Sequence, residues 1–188
     1  MGGFSGPANA RTGITETWDG SSWTEVNDMN TARDSTGGLG IATTALVTGG
    51  RTPPAIVANV ELFNGTSFAE QNDLSATREW NGATGTTSNG LVFGGDTPSA
   101  TNATEEWVGA GTAVGAWSTQ PTMNNPRVHM GASPAGTSTA ALASGGVSPE
   151  SSDQLPYAES YNGTAWTEVA DLNTPRKDLS AGGTYTSN

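Results

Sequence analysis

The chain has 188 residues, no cysteine and a formal net charge of −11. The missing cysteine excludes a disulfide scaffold, a thiolate metal site and a cysteine nucleophile. The acidic balance speaks against nucleic acid, whose phosphates need a basic face, and against an anionic membrane surface.

The 26 glycines and the abundance of Ser, Thr and Asn disfavour helices and suit many short strands joined by turns. No apolar run approaches the roughly 18 residues of a transmembrane helix. Met1-Gly2-Gly3-Phe4 has no basic or apolar leader character, so no signal peptide is expected in this stretch. Apolar residues bounded by turn formers predict strands, in chain order, over residues 14–18, 22–26, 35–39, 43–48, 60–63, 67–70, 81–84, 90–93, 105–108, 116–119, 130–133, 140–144, 158–161, 165–169 and 179–182.

These strands carry an internal repeat of roughly 45–50 residues. Its first anchor is a glycine pair after an apolar strand, Gly49-Gly50, Gly94-Gly95 and Gly145-Gly146, with Gly2-Gly3 after Met1 at the start. The second is an aromatic hairpin: Trp18-Asp19-Gly20-Ser21-Ser22-Trp23, Phe63-Asn64-Gly65-Thr66-Ser67-Phe68 and Tyr161-Asn162-Gly163-Thr164-Ala165-Trp166. In the remaining copy the pair is Trp107 and Trp117, and the turn between them carries an insertion. The third is a loop ending in arginine: Arg33, Arg78, Arg127 and Arg176. Asp-Gly and Asn-Gly supply the positive φ of a tight hairpin turn, and Gly-Gly suits a close backbone approach. A unit of four strands cannot bury both faces alone, whereas units stacked face to face can.

Glycine pair, two aromatics and arginine in this order resemble the kelch repeat, in the style of bacterial, bacteriophage and environmental sequences. The resemblance covers nearly the whole chain. It implies an all-β propeller of about four four-stranded blades, one domain over 1–188, with repeats at roughly 4–50, 51–95, 96–146 and 147–188 plus 1–3. Too few residues follow Arg176 to complete a unit, and Gly2-Gly3 supplies the missing glycine pair. Closure of the ring by strands from both chain ends is therefore expected, which would remove an exposed edge. A segment of a longer array and a larger ring made by two chains are the alternatives.

In such a propeller the loop arginines Arg33, Arg78, Arg127 and Arg176 are expected around one mouth, either facing an anionic ligand or bracing the blades through carbonyls and the recurrent Asp28, Asp73 and Asp171. Two residues beyond each arginine stand Ser35, Trp80, His129 and Asp178. Trp80 could stack on a sugar ring, and His129 is the sole histidine. Galactose oxidase-like kelch enzymes need tyrosine, histidine and cysteine around copper, a set this composition does not hold. Neither a metal site nor a cofactor is expected, and no catalytic residue is assigned. The expected role is non-enzymatic binding or display toward a protein or carbohydrate, as a monomer or homodimer, with an extracellular, cell-surface or virion setting favoured. The alternatives are a glycan-active propeller enzyme using loop carboxylates and a purely structural segment of a larger protein.

Overall fold

The structure, a computed structural model, describes residues 1–5, 10–109, 115–133 and 136–179. Every element among the described residues is a strand, a bridge or a turn. β1 (Phe4–Ser5) and β2 (Ala10–Arg11) form one hairpin, and β3 (Thr15–Trp18) and β4 (Trp23–Val26) a second. Next come β5 (Gly37–Ile41), β6 (Thr44–Thr48), the small hairpin β7 (Arg51–Thr52) and β8 (Ala55–Ile56), then β9 (Val60–Phe63) and β10 (Phe68–Glu70). β11 (Gly82–Gly85), β12 (Asn89–Phe93), β13 (Thr104–Val108) and β14 (Ala116–Gln120) follow. The last four are β15 (Gly131–Ala132), β16 (Ala141–Ser144), β17 (Ala158–Tyr161) and β18 (Trp166–Val169).

Three antiparallel four-stranded sheets result: β5-β6-β9-β10, β11-β12-β13-β14 and β15-β16-β17-β18. Each begins just after a loop arginine and ends with an aromatic hairpin. The predicted strands match closely; the one expected over 179–182 extends into residues outside the described ones. The hairpins β1–β2 and β7–β8 were not expected. They lie directly after glycine pairs, in two-residue strands too short to carry an alternation signal.

Cross-strand aromatic pairs close every outer hairpin. Trp18 faces Trp23, Phe63 faces Phe68, Trp107 faces Trp117 and Tyr161 faces Trp166 in direct register. Their ring centroids lie 4.9–5.5 Å apart, a favourable tilted contact. The insertion after Trp107 therefore leaves the pairing intact. In the three uninterrupted copies an Asp or Asn caps the turn: Asp19, Asn64 and Asn162 each accept two backbone N–H bonds through Oδ1. These bonds hold the Asp19 carboxyl at a pKa of about 2, although it is fully exposed.

The core lies between sheets. Leu39 and Leu46 pack with Ala83, Val92 and Trp107 across the first junction. Leu91 and Phe93 pack with Ala141, Ala143, Tyr161 and Trp166 across the second. Burying such side chains is worth about 1.5–3 kcal/mol each.

Glycine pairs lock each unit to the next. Gly3, Gly50, Gly95 and Gly146 donate their N–H to the carbonyls of Arg33, Arg78, Arg127 and Arg176, at 2.7–3.1 Å. All eight glycines of these pairs have positive φ. A Cβ on Gly49 would stand 2.2 Å from the Arg78 carbonyl oxygen, so both the space and the backbone conformation require glycine. The same loop is then gripped from the other side by a glutamate. Glu61 accepts from the backbone N–H of Asn30 and Thr31 and from Arg33; Glu105 accepts from Ser75 and from Arg78 at 2.8 Å; Glu159 accepts from Asn124 and Asn125 and from Arg127 at 2.8 Å. All six side chains of these ion pairs are 0–2% exposed. Burial pulls the Arg78 and Arg127 pKa down and the paired glutamate pulls it back up.

Removing one partner of a buried ion pair leaves a charge without compensation, at a cost of about 3–5 kcal/mol. Arg78→Ala and Glu105→Ala are each expected to lose that much in urea unfolding, and Arg78→Met with Glu105→Leu together to lose less than either. A double variant as unstable as the sum of the singles would refute this.

Candidate functional site

The loop that carries each arginine ends in a left-handed residue, which in the first three copies leads into the following sheet. Ser35, Trp80, His129 and Asp178, two positions beyond the arginines, have φ of 57°, 51°, 57° and 55°. For a bulky residue such as Trp this conformation costs roughly 1–2 kcal/mol. Backbone bonds link successive turns: Trp80 donates to the Ser35 carbonyl at 2.9 Å and Asp178 donates to the His129 carbonyl at 3.0 Å. Side chains from three different repeats are thereby gathered at one end of the sheets.

There the Trp80 indole stacks on the His129 imidazole, with centroids 4.4 Å apart and planes 30° from parallel. His129 Nδ1 lies 2.7 Å from Asp178 Oδ1. Trp80 and His129 are half-buried, and Asp178 is exposed. With Asn81, Met130 and Leu179 they line a cleft of about 200 Å³. The arrangement offers an aromatic surface, an imidazole and a carboxylate acceptor within one small concavity.

Beside it lies a row of carboxylates faced by two half-buried arginines. Arg11 bonds Asp34, which also accepts from Ser35 Oγ. Arg51 stands 3.7 Å from Glu79, and Glu79 forms an antiparallel bridge with Asp96. Glu79 Oε2 and Asp96 Oδ1 are buried with no hydrogen-bond partner among the described residues. Burial pushes the Glu79 carboxyl upward, Arg51 opposes this, and Asp96 and Asp34 add to it.

The arginines expected around the mouth stand elsewhere. Arg33, Arg78 and Arg127 are buried at the junctions, so they cannot meet a surface ligand, and a positively lined mouth is not built from them. Their partners are not the recurrent aspartates but Glu61, Glu105 and Glu159, one strand position before the hairpin aromatic's neighbour. Identical spacing of these glutamates in the repeat was the signal available in the sequence. Arg176 alone is exposed, its Nε donating to the Thr174 carbonyl. Trp80 and His129 do come together, and the sequence did not single out Asp178 as their third member. A larger groove of about 500 Å³ lies along the 148–157 link, against Asn125 and Pro126, with Tyr157, Glu150 and Asp153 in its lining. Its lining is half-buried at Asn125, Pro126 and 155–157 and exposed at 149–151, 153 and 154.

Among the described residues no group of three or more His, Asp or Glu is placed to hold a metal ion, and no helix is long and apolar enough to cross a membrane. No protein-family model matches the chain, and no curated protein does.

Glu79 sets a pH dependence. Its folded pKa lies above the ordinary 4.5, so its contribution to stability is fully present below 4.5 and lost as pH rises through the folded value. The stability of Glu79→Gln relative to the parent is therefore expected to rise with pH above 4.5, in urea unfolding across a pH series. A difference independent of pH would contradict the shift.

Proposed function

We propose that the chain is a kelch-like propeller module that binds carbohydrate without chemically altering it, through the cleft formed by Trp80, His129 and Asp178. The three four-stranded meanders, stacked through glycine-pair locks, support the propeller reading. The observation that carries the function is Trp80 itself. A tryptophan is held half-buried in a left-handed conformation, stacked on one face by His129, where the equivalent residue in another repeat is a serine. Nothing in the junction needs an aromatic ring there. A flat aromatic surface beside a carboxylate suits a pyranose, whose C–H face stacks on the ring while its hydroxyls donate to the acid. Protein partners reach the same mouth through the same groups and form the alternative class of ligand.

A glycan-cleaving reading calls for two carboxylates about 5–10 Å apart across the bond to be broken. Asp178 is the one carboxylate lining this cleft among the described residues, which supports binding over hydrolysis.

Trp80→Gly separates binding from folding. Glycine relieves the left-handed backbone, worth roughly 1–2 kcal/mol, and forfeits an aromatic contact worth about 0.5–1.5 kcal/mol. Stability is expected to change by less than about 1 kcal/mol, while binding to glycans selected on an array and quenching of tryptophan fluorescence are lost. Retained glycan binding in Trp80→Gly and in Asp178→Asn would overturn the assignment.

A further inference from the structure

Two acids face each other across one strand bridge in the middle of the chain. Glu79 and Asp96 are directly opposed in an antiparallel pair. Glu79 N–H donates to the Asp96 carbonyl at 3.1 Å, and Asp96 N–H donates to the Glu79 carbonyl at 2.8 Å. Directly opposed residues carry their side chains on one face, with Cβ atoms about 4.5–5.5 Å apart, and like charges there repel. The neighbouring copies of the bridge have no such conflict. Asp34 opposes Arg51, an acid against a base, and Val128 opposes Val147. In the middle copy the conflict is also out of water. Glu79 is 2% exposed, and both Glu79 Oε2 and Asp96 Oδ1 are buried without a hydrogen-bond partner among the described residues.

The bases nearby do not settle both charges. Arg11 is taken by Asp34, which also accepts from Ser35 Oγ. Arg51 stands 3.7 Å from Glu79 Oε1, beyond hydrogen-bonding distance, and leaves Oε2 bare. The charged groups acting on Glu79 are thus Arg51 and Arg11 on one side and Asp96 and Asp34 on the other. Three acids against two bases leave one negative charge over, and two buried acceptors lack one donor. A single proton supplies both. A metal ion is a poorer fit, because among the described residues no third His, Asp or Glu is placed with the pair to hold one.

We infer that Glu79 and Asp96 share one proton in the folded protein, held on Glu79 Oε2 and donated to Asp96 Oδ1. The proton turns a repelling pair into a charge-assisted hydrogen bond. It latches the bridge between the Arg78 clamp and the left-handed turn at Trp80. Burial favours the protonated Glu79, Asp96 and Asp34 add to this, and Arg51 and Arg11 oppose it. The latch is therefore closed at low pH. As pH rises through the pKa of the pair, two negative charges appear on one buried face and the bridge opens. This inference does not depend on what the cleft binds.

Carbon-13 NMR of the side-chain carboxyls, on the full chain across a pH series, reads the proton directly. The Glu79 carboxyl carbon is expected to titrate above the ordinary 4.5, and the Asp96 carboxyl carbon to respond at the same pH, as coupled groups do. Through that pH the backbone amides of Glu79 and Asp96 are expected to lose protection from hydrogen exchange relative to the amides of β12. In Asp96→Asn the new amide replaces the proton as donor to Glu79 Oε2. Glu79 is then expected to titrate lower than in the parent, and the pH-dependent loss of protection to vanish. Glu79→Gln, whose amide reaches Asp96 Oδ1, is expected to abolish that loss as well. Glu79 titrating at or below 4.5 overturns the inference, as does an Asp96 carbon silent at the pH where Glu79 titrates; both are read in the parent, whether or not a variant folds. A Glu79 titration unmoved by Asp96→Asn also overturns it, as does a shift of the two carboxyl carbons on adding calcium chloride, which would mark a cation in place of the proton.

Discussion

A buried arginine–glutamate pair sits at each of three junctions among the described residues. Ion pairs out of water gain little net stability, because desolvation offsets most of their attraction. Their value here is positional. The glutamate accepts backbone N–H groups from the loop as well as the guanidinium, so the loop has one register in which all donors are satisfied. The glycine pair then takes the arginine's own carbonyl. One residue thus ties two neighbouring sheets, by its side chain to the sheet that follows and by its backbone to the sheet that precedes.

That clamp explains how a chain with few large apolar residues holds its sheets together. The apolar clusters are small, and each spans one junction rather than a common centre. Stability in such an array is close to a sum of unit and nearest-neighbour contributions. Trp18 and Trp23 stand on a hairpin that pairs with no further strand among the described residues, and both are exposed. The clamp also frees the residues just beyond it. Once Arg78 and Arg127 fix the loops, positions 80 and 129 are held left-handed whatever they carry, and side chains as different as Ser, Trp, His and Asp occupy the same frame. Function can vary there without disturbing the scaffold.

The repeat was legible in the sequence because its anchors are local. Asn-Gly turns, aromatic pairs and glycine pairs each act within a few residues, and the strands they bound fall where expected. The role of the arginines was not legible. Their spacing showed that they are equivalent, but spacing is silent on whether a side chain points to solvent or into a junction. The aspartates five residues upstream are as regular as the glutamates about 30 residues downstream, and only the path of the chain selects the latter.

Sequence by itself determined an all-β chain of repeated four-stranded units, the position of each turn and the equivalence of the four arginines. Tertiary structure decided what those arginines do. It buried three against glutamates, left Arg176 exposed, and brought Trp80, His129 and Asp178 from three repeats into one cleft. The physical reason is range. Turn chemistry is written in neighbouring residues, whereas an ion pair or a cleft depends on how separate units stack, and that stacking is set by contacts between residues far apart along the chain.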